Sequence, residues 1–262
     1  MNPETVLITG ASSGIGLELA RLFAAEKCRL VLTARGLPKL EESAAALRAD
    51  HGIAVEVLGS DLSQPGASAR LVQELTERNL AVDVLVNNAG VGAQGRFAEL
   101  GAQRQLEMLQ LNVNALTELT RALLPGMIAR KQGGLLNIAS TAAFQPGPNM
   151  AVYYASKAYV LSFSEALAEE LAGTGVSCTC VCPGATATNF AAAADLEKSL
   201  LFRFGVMNAG EVARAAHHAF RRKKVVCVPG LKNWLVAFSV RLTPRMLVRK
   251  IAKRLNSRGI FV

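Results

Sequence analysis

Seven short β-rich runs, each but the last followed by a segment with apolar residues at helical spacing, restrict this chain to an alternating α/β architecture. The runs are 4–9, 29–34, 53–58, 82–87, 134–139, 176–182 and 224–228. Several, among them Leu30-Val31-Leu32 and Val84-Leu85-Val86, are continuously apolar rather than alternating. That pattern belongs to strands covered on both faces of a parallel sheet. Right-handed crossovers then predict a single doubly wound, mostly parallel, seven-stranded sheet with helices on both sides. No Pro/Gly/Ser-rich linker divides the chain, so residues 1–230 read as one domain and 231–262 as a C-terminal helical extension of it.

Bulk properties remove several function classes. The composition, 51% hydrophobic and 19% charged, supports a large core and argues against disorder. No apolar run approaches the roughly 18 residues of a membrane span. Met1-Asn2-Pro3-Glu4 leads straight into Val6-Leu7-Ile8 without a basic n-region, so the expected location is the cytoplasm. Cys178, Cys180 and Cys182 have period two, which puts them on one face of a strand as small buried hydrophobes and lacks the spacing of a zinc site. The three histidines, including the adjacent His217 and His218, indicate no metal centre either.

The formal net charge is +9, but it is unevenly placed. From Val212 to Val262 there are thirteen Lys and Arg and no Asp or Glu; the preceding 211 residues hold the other sixteen bases and all twenty acids.

Gly10, Gly14 and Gly16 follow the first strand directly and open an apolar-periodic segment from Ile15 to Phe23. Such a turn needs unusual backbone angles, close approach to a ligand and tight helix–strand packing, which glycine permits. The helix N-terminus beyond it presents unpaired N–H groups and a positive dipole end, a cradle for phosphate. The spacing is Gly-x3-Gly-x-Gly rather than the Gly-x-Gly-x2-Gly of the ordinary dinucleotide turn.

With Thr9 in front, this turn resembles that of the short-chain dehydrogenase/reductase family, classical type. Other matches follow in family order: Asp61-Leu62, Asn87-Asn88-Ala89-Gly90, Asn112, Ser140, Tyr153-x3-Lys157 and Pro183-Gly184. The resemblance spans residues 4 to about 230. It implies a Rossmann fold, a nicotinamide cofactor and an oxidoreductase, commonly a homodimer or homotetramer joined through helices around 99–130 and 153–173. By the same resemblance Gly10, Ser12, Ser13, Gly14, Ile15 and Gly16 hold the pyrophosphate end of the cofactor. Asp61, with Leu62, faces the adenine amino group; Asn87, Ala89 and Gly90 line the adenosine ribose. Pro183-Gly184 sits beside the nicotinamide, with Thr186 and Thr188 as partners for its carboxamide.

The second strand ends in Thr33-Ala34-Arg35, with no acid where a carboxylate would bind the ribose 2′-hydroxyl. An arginine there suits a 2′-phosphate, so NADP(H) is the expected cofactor and reduction the expected direction. The family's basic residue before the second glycine is replaced by Ser13, leaving Ser12 or Ser13 to hydrogen-bond the phosphate.

Hydride delivery to a carbonyl leaves an alkoxide that needs a proton donor. A tyrosine, with an ordinary pKa near 10, is expected to be shifted toward neutrality by a lysine one helical turn away. Tyr153 and Lys157 have the i, i+4 spacing, while Tyr154 at i+3 is a rival on spacing alone. The resemblance selects Tyr153, with Ser140 as the carbonyl orienter, Lys157 also holding the nicotinamide ribose, and Asn112 anchoring a water that links Lys157 to solvent.

The expected substrate loop, about 185–209, contains Phe190, Leu196, Leu200, Leu201, Phe202 and Phe204. With Gly92, Gly95, Phe97 and Met150 these suggest a pocket for a hydrophobic ketone or secondary alcohol, such as a 3-oxoacyl thioester or a steroid-like compound. A non-catalytic NADP(H)-binding redox sensor is the alternative, though it has no use for the Tyr–Lys pair. The wording of 140–190 and the tail are similar to a subgroup containing very-long-chain 3-oxoacyl-CoA reductases and uncharacterised bacterial oxidoreductases.

In the extension, Thr243-Pro244 reads as a helix start with Thr243 as N-cap. Leu247, Val248, Ile251, Ala252 and Leu255 form one stripe, with bases on the rest, and Trp234, Leu235, Phe238 and Leu242 form another apolar set. The pattern fits peripheral contact with an anionic membrane, docking on the domain or a second subunit, or the phosphates of an acyl-CoA. Without a recognition motif or interleaved aromatics, nucleic acid is not an expected partner.

Overall fold

The continuous apolar runs form interior strands because only a doubly covered sheet removes both of their faces from water. In the computed structural model, which describes residues 3–190 and 205–257, the first six are β1 (Thr5–Thr9), β2 (Arg29–Ala34), β3 (Val55–Gly59), β4 (Val84–Asn87), β5 (Gly133–Ile138) and β6 (Val176–Val181). A two-stranded pair, β7 (Thr186–Ala187) and β8 (Met207–Asn208), follows, and β9 (Val226–Cys227) completes the main sheet. The order is β3-β2-β1-β4-β5-β6-β9, and every neighbouring pair is parallel. The sheet is thus wholly parallel, and the order reverses between β1 and β4, where open α/β sheets form a ligand crevice.

Helices α1 (Gly14–Ala25), α2 (Leu37–His51) and α7 (Ala209–Arg221) cover one face; α3 (Ala67–Glu77), α5 (Leu116–Arg130) and α6 (Ala151–Glu170) cover the other. The first layer buries Leu19, Phe23, Leu40 and Phe220 against Val6, Ile8, Leu30 and Leu32. The second buries Leu71, Leu75, Leu119 and Met127 against Leu7, Val31 and Leu85. Adjacent strand residues point to opposite faces, which is why Val6 and Leu7 enter different clusters. Helix α7 starts at a capping box, the Asn208 side chain accepting from the backbone and Glu211 reaching back to the Asn208 N–H.

Helix α4 (Ala102–Leu109) passes into α5 through a π-helical stretch, Gln110–Ala115. After β9 come α8 (Leu231–Leu242) and α9 (Arg245–Leu255). Thr243 does not cap α9 as the sequence suggests: its hydroxyl donates to the Ser239 carbonyl, closing α8, and Pro244 occupies the α9 cap position. Cys178, Cys180 and Cys182 are buried free thiols on and just beyond β6. Among the described residues no cluster of His, Cys, Asp or Glu could hold a metal ion, and no helix is long and apolar enough to cross a membrane.

Candidate active site

The carboxyl ends of the central strands open into one cavity of about 560 Å³. Its wall brings together Gly10, Ser12, Ser13, Gly14, Ile15, Arg35, Asp61, Leu62, Ala89, Gly90, Ser140, Tyr153, Lys157, Pro183, Gly184, Thr186 and Thr188 from nearly 180 residues of chain.

At the β1 end, Gly10 and Gly14 have φ of +66° and +58°, a conformation side chains resist. A Cβ on Gly14 would stand 2.9 Å from the Thr188 methyl, and one on Gly10 would meet the Ala89 backbone at 3.0 Å. Gly16 does not line the cavity; a Cβ there would lie 2.5 Å from Asn88 and from the Gly10 carbonyl, so it serves the packing of turn on helix. Ser13 is the α1 N-cap, yet its side chain makes no capping bond and the first turn holds no acid. The open N–H groups and the dipole end therefore face the cavity, which fits a pyrophosphate.

Asn88, which the sequence reading passed over, holds this turn in place. Its carboxamide donates to the Thr9 and Gly10 carbonyls at 2.9 and 3.2 Å, while the Thr9 hydroxyl accepts from the Asn88 and Ala89 N–H groups. Its position inside Asn87-Asn88-Ala89-Gly90 was the available signal. Asn87, expected on the ribose, instead turns into the protein: its carboxamide donates to Asn137 Oδ1 at 2.9 Å and Thr120 Oγ1 at 3.2 Å. It is a strand residue whose side chain alternates away from the cavity, and it is not part of the wall. Asn87→Ala is expected to cost about 1–3 kcal/mol of stability, by leaving the buried Asn137 oxygen unpaired. Dinucleotide affinity should be unchanged, which thermal unfolding and a nucleotide titration would check together.

Arg35 is exposed at the cavity rim and forms no ion pair among the described residues. Its charge does reach Asp61. Burial alone would raise the Asp61 carboxyl, but hydrogen bonds from the Ser63 hydroxyl and amide, together with Arg35, hold it below the usual carboxylate range.

At the other end, the Ser140 hydroxyl accepts from the Ala142 N–H at 3.1 Å and donates toward the Pro183 carbonyl at 3.4 Å. It thus starts the 3-10 turn Thr141–Phe144 and faces Tyr153 at once. Tyr153 is buried, with Phe190 at 5.3 Å and Tyr154 at 6.1 Å between ring centroids. Lys157 donates to the Ile138 carbonyl at 2.8 Å, and its Nζ lies 5.9 Å from the Tyr153 ring centre. A Cβ on Gly90 would be 3.3 Å from both Lys157 Nζ and Asn112 Oδ1, so a side chain there would press on both groups.

The expected downward shift of Tyr153 is not what this environment produces. Burial pushes the phenol above its ordinary pKa, opposed by the Ser140 hydrogen bond. Burial also lowers the Lys157 ammonium to about 8. Asn112 sits in the π-helical stretch and off the cavity wall; its carboxamide is committed to the Val91 backbone at both atoms and to Ser156 Oγ.

Tyr154, the rival on spacing, points elsewhere, donating to Asn256 Oδ1 at 3.0 Å. Asn256, just after α9, also donates to the Pro148 carbonyl and accepts from Gln94 on its own carbonyl. The C-terminal extension is therefore clamped beside the site, a contact that no local sequence pattern announces. Thr186 is turned onto the Gly184 carbonyl and Thr188 accepts from the Phe190 N–H. Of the expected pocket residues, Met150 and Phe190 line the cavity; Gly92, Gly95 and Phe97 do not, and Phe97 is 66% exposed. Leu196, Leu200, Leu201, Phe202 and Phe204 lie outside the described residues.

A sequence profile of the short chain dehydrogenase family matches residues 4–199. The chain is 38% identical over 181 residues to the ketoacyl reductase HetN of Nostoc sp., a match covering 69% of this chain and 63% of that one. It superposes with a TM-score of 0.82 and 36% identity on a short-chain dehydrogenase from Sphingobium yanoikuyae in complex with NADPH, covering 91% and 94% of the two chains. A bulky-bulky ketone specific alcohol dehydrogenase from Comamonas testosteroni superposes with a TM-score of 0.78 at 32% identity, covering 92% and 93%.

Proposed function

The chain belongs to the short chain dehydrogenase family of oxidoreductases, and on that premise we propose that it reduces the ketone of a hydrophobic substrate with NADPH. The observation that carries this is the convergence of Tyr153, Ser140 and Lys157 on the cavity that also contains the glycine cradle. When bound, NADPH supplies the hydride that goes to the carbonyl carbon. Gly10, Ser12, Ser13, Gly14 and Ile15 with the α1 N-terminus would take its pyrophosphate, Asp61, Leu62, Ala89 and Gly90 its adenosine end, and Pro183, Gly184, Thr186 and Thr188 its nicotinamide end. Gly16 would act by letting the turn pack.

Ser140 donates to the carbonyl oxygen and stabilises the charge that develops there. Tyr153 then transfers its phenolic proton to that oxygen. An alkoxide is a far stronger base than a phenolate, so this transfer runs downhill even from a phenol raised by burial. The reverse reaction needs a phenolate as base, a form that the same burial disfavours. Lys157 places a positive charge near the phenolate left behind. The Asn112 carboxamide is already occupied by the Val91 backbone and Ser156 Oγ, so its side chain supports the site by holding the segment after Gly90 in place.

Arg35 supports NADP(H) over NAD(H). Arg35→Ala is expected to raise the Kd for NADPH about tenfold or more, as loss of a charge-assisted hydrogen bond does, and to leave that for NADH nearly unchanged. Equal effects on the two nucleotides in a fluorescence titration would refute the 2′-phosphate role. Around Tyr153 the wall gathers Val91, Met150, Tyr154 and Phe190 into one apolar cluster, which suits a hydrophobic body behind the carbonyl and is in keeping with the ketoacyl and bulky-ketone relatives. We read the substrate as a 3-oxoacyl thioester or a steroid-like ketone, and the working form as a dimer or tetramer through α4, α5 and α6. NADPH oxidation followed optically across aliphatic, steroid and acyl-thioester ketones tests this, and no turnover with any of them would overturn the substrate class.

A further inference from the structure

The C-terminal extension places its apolar side chains on the outside. In α8 the side turned to the domain is Asn233, Ala237 and Val240, and of these only Ala237 is fully buried. The opposite side carries Leu231, Trp234, Leu235, Phe238 and Leu242 along one stripe, with Leu231 and Leu242 74% and 76% exposed. Trp234 and Phe238 stack on each other in the open, 5.4 Å between centroids and 7° between planes. Past the Thr243-Pro244 corner, α9 buries Val248 and Ala252 and exposes Met246, Leu247 and Ile251. Of the sixteen large apolar side chains exposed among the described residues, nine lie between Leu231 and Ile251. Scattered exposed apolar residues mean little, but a contiguous set marks an interaction surface.

Its charge selects the partner. Arg241, Arg245, Arg249, Lys250, Lys253 and Arg254 are all exposed and none is in an ion pair among the described residues. No acid occurs anywhere from Val212 to Val262. A second copy docking by the same face would bring six bases against six, which opposes a two-fold contact. An anionic bilayer surface satisfies both parts, taking the apolar stripe into the headgroup–acyl boundary and the bases onto its phosphates. Each helix is also tied to the domain: Asn256, just after α9, is bonded to Tyr154, Pro148 and Gln94, and Asn233 of α8 abuts Gly184 at the cavity wall. We propose that α8 and α9 form a docking surface for anionic membranes, seated beside the mouth of the cavity. The proposal stands on the exposed patch and its charge, independently of the reductase reading.

Trp234 is the chain's only tryptophan, so its emission reports this surface directly. With the full chain and vesicles of phosphatidylcholine containing about 30% phosphatidylglycerol, the emission should shift to the blue and be quenched by brominated acyl chains. Pure phosphatidylcholine should give a far weaker response, and added salt should weaken the anionic one. The variant R249E/K250E/K253E, altered only at exposed positions, should keep the wild-type thermal transition. It should lose binding by on the order of 100-fold or more, given about 1 kcal/mol per base at such a surface. No spectral change with anionic vesicles, or equal binding to neutral ones, would overturn the proposal. So would a Trp234 emission already blue without lipid that moves red on dilution, since a second copy would then be the occupant.

Discussion

Tyr153→Phe is expected to lower kcat for ketone reduction by about 10³-fold while leaving the Kd for NADPH within about twofold. The variant removes one oxygen and keeps the ring that packs between Phe190 and Tyr154, so the cavity wall should be preserved. What disappears is the only phenol facing Ser140, because the neighbouring Tyr154 hydroxyl is held by Asn256 and turned away from the reacting position. General acid transfer contributes about 10²–10⁴-fold, and the variant should lose most of it. Single-turnover measurements with the optimal ketone would separate this from binding. Turnover within tenfold of the parent protein would mean that another group delivers the proton, and the role of Tyr153 would fall.

The parts of this site visible in the sequence are those fixed by backbone necessity or by helical period. A glycine at φ +58° with Thr188 against it, or a lysine one turn from a tyrosine, leaves a local trace that spacing reveals. The strands were equally legible, since continuous apolar runs have one economical use, and their predicted bounds differ from the observed ones by at most two residues. What spacing could not supply was direction and distance. Asn87 and Asn88 are neighbours, yet strand alternation sends one into a buried Asn137–Thr120 network and the other onto the glycine turn. The Tyr154–Asn256 bond joins residues 102 positions apart and depends on how the extension folds back. The sign of the Tyr153 shift was likewise hidden, because it depends on burial by Phe190 and the surrounding wall. Spacing to Lys157 does not contain that information.

Lys157→Met should separate catalysis from stability. Burial lowers the ammonium from 10.5 to about 8, so at neutral pH the folded protein carries a charge it would rather release. That difference corresponds to about 3 kcal/mol, offset by about 1–3 kcal/mol for the buried Ile138 carbonyl left without this donor. Below about pH 8 both the folded and unfolded chains hold the proton and the full penalty applies. Between about 8 and 10.5 the folded chain releases it first, so stability rises with pH across that window and is unaffected by this group above it. Methionine has similar volume and no charge, so the variant should melt no lower than the parent at pH 7 and show a flatter stability profile from pH 8 to 10. Its kcat/KM should fall by about 10²–10³-fold, since the positive charge near the developing phenolate is gone. In the parent protein, kcat/KM for reduction should decline as pH rises through about 8, the point at which free enzyme loses the ammonium. A variant that keeps the same break in its pH profile would show that Lys157 is not the titrating group, and one whose stability still rises from pH 8 to 10 as in the parent would show that another group causes that rise. A destabilised active-site charge of this kind is the cost of having the ammonium where the phenol can use it.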